Sequence, residues 1–150
     1  MDFDVLVVGG GLSGLTAAAS AADSDARVGV LSSGIGDMVN FSGCIDLLAF
    51  YPADSCPPEA TPDVLLDRLI AEMPEHPYAK AGKRWIDDAI RYFKSLLPEG
   101  EYEGDLHRLI PLPTAIGTIK PTGLVPRSMT AGALDREEDM LLVGLRGLSV

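Results

Sequence analysis

An apolar run from Val5 to Val8 follows Asp4 and gives way to Gly9-Gly10-Gly11-Leu12-Ser13-Gly14. Strands buried on both faces of a parallel sheet read as unbroken apolar runs, so Val5 to Val8 predicts such a strand. Beyond the glycines, Leu12, Leu15, Ala19 and Ala22 recur at helical spacing, and Asp23-Ser24-Asp25 ends the helix. Val28 to Leu31 is a second short apolar strand. Strand, glycine turn, helix and strand in this order open a βαβ unit. They predict an α/β chain with a Rossmann-like FAD/NAD(P)-binding fold, a parallel sheet and a glycine-rich start.

The pattern then changes. Ser32 to Gly43 is broken by Gly34, Gly36, Asp37, Asn40 and Ser42 and reads as a loop bordering a nucleotide cleft, with Ser42 and Gly43 as candidate cofactor neighbours. Ala53 to Pro62 is a polar connector, and Thr61-Pro62-Asp63 starts a helix with a hydroxyl N-cap and proline in the first turn. Leu65, Leu66, Leu69, Ile70 and Met73 form its apolar face, and Pro74 stops it. A second helix is predicted over Lys80 to Leu97, with Ile86, Ala89, Ile90, Phe93 and Leu97 inward. Trp85 and Tyr92 read as core or edge packing. His76, between Pro74 and Pro77, reads as part of a rigid connector between helices, with a substrate or subunit contact as the sharper alternative. Strands are predicted at Leu106 to Leu112, Ala115 to Ile119 and Met140 to Leu145, with Asp135 to Asp139 a solvated turn. Gly144 and Gly147 are a further candidate for backbone approach to a nucleotide. The chain thus reads as one nucleotide-binding domain over residues 1–150 with a helical insertion at 61–97.

Composition narrows the class. Of 150 residues 47% are apolar, which suits one globular domain, and the net charge of −10 with four lysines offers no footprint for nucleic acid or anionic lipid. Cys44 and Cys56 are too few for a disulfide framework and match no metal spacing, so they read as ordinary thiols. Val5 to Ala22 is an uncharged run of 18 residues, near the lower limit for a membrane span. Four glycines, a strand-then-helix pattern and acidic flanks argue against a span or a signal peptide. The expectation is a soluble, cytoplasmic chain.

The glycine turn carries the candidate chemistry. Gly9 permits the tight turn, Gly11 lets a phosphate approach the backbone, and Gly14 lets the helix pack closely on the strand. The open N–H groups of Leu12, Ser13 and Gly14, at the positive end of the helix dipole, would hold the phosphate. An acidic residue is expected after the second strand to accept from the ribose hydroxyls. Ser32, Ser33 and Gly34 stand there instead. That leaves FAD held differently, FMN, or a phosphate-bearing ribose as readings, with Ser32 and Ser33 as weaker ribose partners. The sequence holds no G-x-S-x-G, no Walker lysine and no metal-ligand cluster. Any redox chemistry would therefore belong to a cofactor.

Five stretches together resemble the B-subunit family of anaerobic glycerol-3-phosphate dehydrogenases. They are the Phe3-Asp4-Val5 strand with its G-G-G-L-S-G-L turn; Phe41-Ser42-Gly43-Cys44-Ile45-Asp46-Leu47-Leu48; His76-Pro77-Tyr78; Gly117-Thr118-Ile119-Lys120-Pro121-Thr122; and Val143-Gly144-Leu145-Arg146-Gly147-Leu148. The glycine turn is generic, and the second and third stretches are the more particular. The resemblance implies a flavoprotein using FMN, with FAD as the alternative. It would act beside a flavin-bearing A subunit and an iron–sulfur C subunit, reaching the inner face of the membrane only through a partner. The implied reaction oxidises glycerol 3-phosphate to dihydroxyacetone phosphate and passes electrons to quinone. Members of that family are longer than this chain, so the resemblance also implies an N-terminal portion with an incomplete nucleotide domain. Two other readings stay open: part of another FAD-dependent oxidoreductase of the fumarate reductase type, and a nucleotide-free scaffold protein of the assembly.

Overall fold

The computed structural model describes residues 2–52, 60–141, 143–144 and 146–147. The chain divides into two compact units, Met1–Ser42 and Gly43–Val150.

In the first unit, β1 (Val5–Val8), α1 (Leu12–Ala22) and β2 (Val28–Leu31) form the predicted βαβ opening. β1 and β2 pair in parallel, with Val5 opposite Val28 and Val8 opposite Leu31. Asp4 locks the start of the pair, because its carboxylate accepts from the Arg27 N–H (3.0 Å) and from the guanidinium (2.9 and 3.0 Å). α1 packs on the sheet face that carries Val7. The opposite face is open: Leu6 is 57%, Val8 76% and Leu31 58% exposed. The expectation of strands buried on both faces is therefore corrected. Among the described residues the parallel sheet has two strands, and a helix of the same unit covers one of its faces.

The second unit holds α2 (Pro62–Glu72), α3 (Pro77–Ala81), α4 (Lys83–Ser95), β3 (Tyr102–Gly104), β4 (Ile110–Pro113), β5 (Ile119–Thr122), β6 (Leu124–Pro126) and α5 (Arg127–Thr130). α2 begins as predicted, with Thr61 Oγ1 accepting the Val64 N–H and proline in the first turn. Leu65, Leu66 and Leu69 are buried. The single helix predicted from Lys80 to Leu97 is instead two, because Gly82 ends α3 and begins α4. His76 caps α3, its Nδ1 accepting the Tyr78 N–H at 3.1 Å. Trp85 stands on the surface with the Arg84 guanidinium 5.9 Å from its ring centre.

The strands of this unit pair antiparallel, β3 with β6 and β4 with β5. Two predicted strands shift accordingly. The first shrinks to Ile110–Pro113, and the second begins only at Ile119. The intervening stretch is a hairpin loop, closed by the Thr114 N–H on the Thr118 carbonyl (2.8 Å). β3 carried no clear apolar alternation. Two small cores hold the unit: Cys44, Ile110, Leu112, Val125 and Ala133 in one, Leu66, Ile90, Leu106 and Leu124 in the other. Cys44 is thus a core side chain, while Cys56 lies outside the described residues, as does 53–59 of the predicted connector. Of the strand expected at Met140 to Leu145, residues 142 and 145 lie outside the description, and Met140, Leu141, Val143 and Gly144 are exposed and in no strand. Gly147 is likewise exposed and forms no strand. No helix among the described residues is long and apolar enough to cross a membrane.

Candidate functional site

Between the C-terminal ends of β1 and β2 lies a cleft of about 620 Å³, lined from the first unit alone by Val8–Gly11, Leu31–Gly34, Gly36 and Asp37. That is the range of small-molecule sites, and the ends of parallel strands are where such folds place ligands.

Each glycine of the turn meets a different constraint. Gly9 has φ of +122°, a conformation that other L-residues rarely adopt. A Cβ on Gly14 would stand 2.2 Å from the Gly9 carbonyl oxygen and 3.5 Å from Val7 Cγ1, so α1 can lie this close only with glycine there. A Cβ on Gly11 would meet nothing within 4 Å. Packing therefore gives no reason for glycine at position 11, whereas a ligand occupying that space would. Gly11 is also the N-cap of α1 and has no side chain to bond the first turn. The N–H groups of Leu12, Ser13 and Gly14 thus have no side-chain cap, which is the arrangement that accepts a phosphate.

The residues after β2 fold back over the turn. Ser32 Oγ donates to the Gly34 carbonyl and accepts the Gly34 N–H at 3.3 Å. A Cβ on Gly10 would lie 2.8 Å from that Ser32 oxygen, and one on Gly36 would lie 2.9 Å from the Gly10–Gly11 peptide. The loop and the glycine turn therefore pack backbone against backbone. The structure brings Gly9, Gly10, Gly11, Ser32 and Ser33 together at the cleft, with Leu12, Ser13 and Gly14 forming the adjoining helix turn. Asp37, which sequence reasoning passed over as loop, lines the same cleft. Its signal was present in the sequence: it is the first carboxylate after β2, five positions beyond the expected one.

Ser42 and Gly43 do not join this group. Ser42 closes the first unit and is not among the residues lining the cleft. Gly43, in the second unit, has φ of +88°, packs its α-carbon on Pro126 and accepts the Tyr102 hydroxyl at 2.7 Å. Those contacts explain the glycine without a ligand.

The donors available at the cleft are backbone N–H groups at a helix start, and its charged member is a carboxylate. This set fits a phosphate flanked by ribose or ribityl hydroxyls. It provides no nucleophile activated by a base.

Residues 4–149 match the family described as FAD binding domain. The chain is 36% identical over 152 residues to a probable anaerobic glycerol-3-phosphate dehydrogenase B subunit of Halobacterium salinarum, an alignment covering 99% of this chain and 34% of that protein. It is 31% identical over 158 residues to the anaerobic glycerol-3-phosphate dehydrogenase B subunit of Aliivibrio fischeri, covering 98% and 33%. With the protein of the same name from Pectobacterium carotovorum the identity is 30% over 156 residues, covering 98% and 36%. The chain spans about a third of the length of these relatives. No solved structure matches it. The matched family is described by FAD, the dinucleotide, and gives no support to FMN as the first choice.

Proposed function

The chain belongs to the FAD-binding domain family, and on that premise we propose that its first unit holds the phosphates of FAD in a flavoprotein subunit of an anaerobic glycerol-3-phosphate dehydrogenase. The observation that carries this reading is the space above Gly11, where an added Cβ would meet no atom of the described residues within 4 Å, next to a helix start with no side-chain cap. The names of the relatives supply the substrate, glycerol 3-phosphate, and the membership in an assembly.

When bound, the flavin would supply reversible two-electron acceptance. The protein's part is to bind and orient. The N–H groups of Leu12, Ser13 and Gly14 would donate to the diphosphate at the positive end of the α1 dipole. Ser33 and Asp37, which line the cleft, would accept from hydroxyls of the cofactor, Asp37 in place of the acid missing directly after β2. Ser32 keeps the loop against the turn. In the proposed assembly, an iron–sulfur protein would take electrons on towards quinone, alongside a second flavin-bearing component.

Flavin extracted from the purified protein and separated by chromatography tests the reading. FAD at one per chain is expected. FMN in its place would overturn the dinucleotide assignment and Asp37's role. A colourless protein that still assembles with its partners would overturn the flavoprotein reading in favour of a scaffold. Anaerobic addition of glycerol 3-phosphate to the assembled dehydrogenase is expected to bleach the flavin absorbance.

A further inference from the structure

The second unit carries a cleft of its own, about 560 Å³, formed by Asp46–Phe50, Tyr78, and Thr114 with Thr118–Pro121. Three stretches far apart in the chain meet there, and the polar groups among them are held in place. Thr122, fully buried, donates from Oγ1 to Asp46 Oδ1 at 2.8 Å, and Lys120 Nζ lies 2.8 Å from Asp46 Oδ2. Thr118, Lys120 and Thr122 alternate along β5 and its approach, so they share one face. Across the hairpin loop, Thr114 Oγ1 and Thr118 Oγ1 are 2.7 Å apart, and Thr114 Oγ1 also accepts the Thr118 N–H at 3.1 Å.

Counting donors shows what this cleft can receive. One hydroxyl proton serves the threonine pair, which leaves the other able to donate outward. The Lys120 ammonium keeps two N–H groups beyond its bond to Asp46. Asp46, tied at both oxygens, retains lone pairs for an incoming hydroxyl. Leu47, Leu48, Phe50 and Ile119 add apolar surface around this polar centre, and Phe50 and Ile119 are largely exposed. On a chain of net charge −10, an anion needs a fixed local cation to settle, and Lys120 is one.

We propose that this cleft binds a small phosphorylated polyol, its phosphate on Lys120 and the Thr114–Thr118 pair and a hydroxyl on Asp46. The choice of a phosphorylated polyol rests on the function proposed above; the donor arrangement does not.

The test is an amide NMR titration of the isotope-labelled chain with glycerol 3-phosphate, glycerol and inorganic phosphate in turn, repeated on Lys120→Gln and Thr118→Val. Glycerol 3-phosphate is expected to shift amides of 46–50 and 114–121 and to bind more tightly than glycerol or phosphate. Lys120→Gln should weaken it by about tenfold or more, and Thr118→Val by a smaller factor. Lys120 is partly exposed and Thr118 exposed, so both variants should stay folded, with ligand-free amide changes confined to the hairpin loop and the neighbourhood of Asp46. The measurement needs no flavin, so a failure of the cofactor assignment would not produce a failure here. Unchanged affinity in both variants, or no shifts at 46–50 and 114–121, would overturn the site. Phosphate binding as tightly as glycerol 3-phosphate would overturn the polyol.

Discussion

Two glycines of one turn should fail in different ways when a side chain is added. Gly11→Val places its methyl groups in open space, so the melting temperature should fall by no more than a weaker N-cap costs, while flavin retention is lost. Gly14→Ala drives a Cβ into the Gly9 carbonyl and should cost about 1–3 kcal/mol, read as a lower melting temperature whether or not flavin is present. Tyr102 offers a third single-residue test. Its hydroxyl holds the Gly43 carbonyl, and burial pushes its pKa above the ordinary tyrosine value. Tyr102→Phe should cost about 1 kcal/mol in chemical denaturation. The neutral phenol is the form the fold favours. Its contribution is therefore complete below the ordinary tyrosine pKa and lost as the pH rises through the raised one. Asp4 behaves oppositely, because the Arg27 side chain and then the Arg27 N–H hold its carboxyl below the usual range. Its stabilising contribution is complete above about pH 4 and lost as the pH falls through the lowered value. Asp4→Asn should remove that part of the acid limb, and because the pair is exposed, the difference should shrink in high salt.

At the scale of elements, local signals were legible where local chemistry decides. Thr61-Pro62 announced α2, since a hydroxyl cap and a proline act within one turn. Thr61→Ala should lower stability by about 1 kcal/mol without moving the helix, measurable by thermal melting. Between β1 and α1, Gly9 takes a positive φ and Gly14 stands against the Gly9 carbonyl, both set within one turn. Elements fixed by contacts that leave no mark on apolar periodicity were not legible. The β4–β5 hairpin looked like two strands at shifted positions, because Thr114 and Thr118 close its loop through side-chain bonds that periodicity does not reveal. Gly82 lay inside an apolar helical pattern strong enough to hide the break. Asp37 was overlooked because its position at the cleft depends on how the loop after β2 folds back over Gly10 and Gly11.

At the scale of the molecule, the two units carry different kinds of site. The first presents backbone donors at a helix start, suited to a phosphate. The second presents a fixed ion pair and hydroxyls among apolar side chains. The family match extends across both, over residues 4–149. The resemblance legible in the sequence rested on stretches from both units, and the relatives at 30–36% identity agree with it. The cofactor was the part least legible. Without an acid directly after β2, FMN looked the simpler ligand, whereas the family is that of FAD. On the proposed function, the space above Gly11 takes the cofactor's phosphate. The most direct test is the flavin content of the purified protein and of its Gly11→Val variant, measured beside their melting curves. About one flavin per chain is expected in the parent and none in the variant, whose apo-protein melt should fall by less than that of Gly14→Ala. Full flavin content in Gly11→Val would contradict the proposal and leave the turn a purely structural feature.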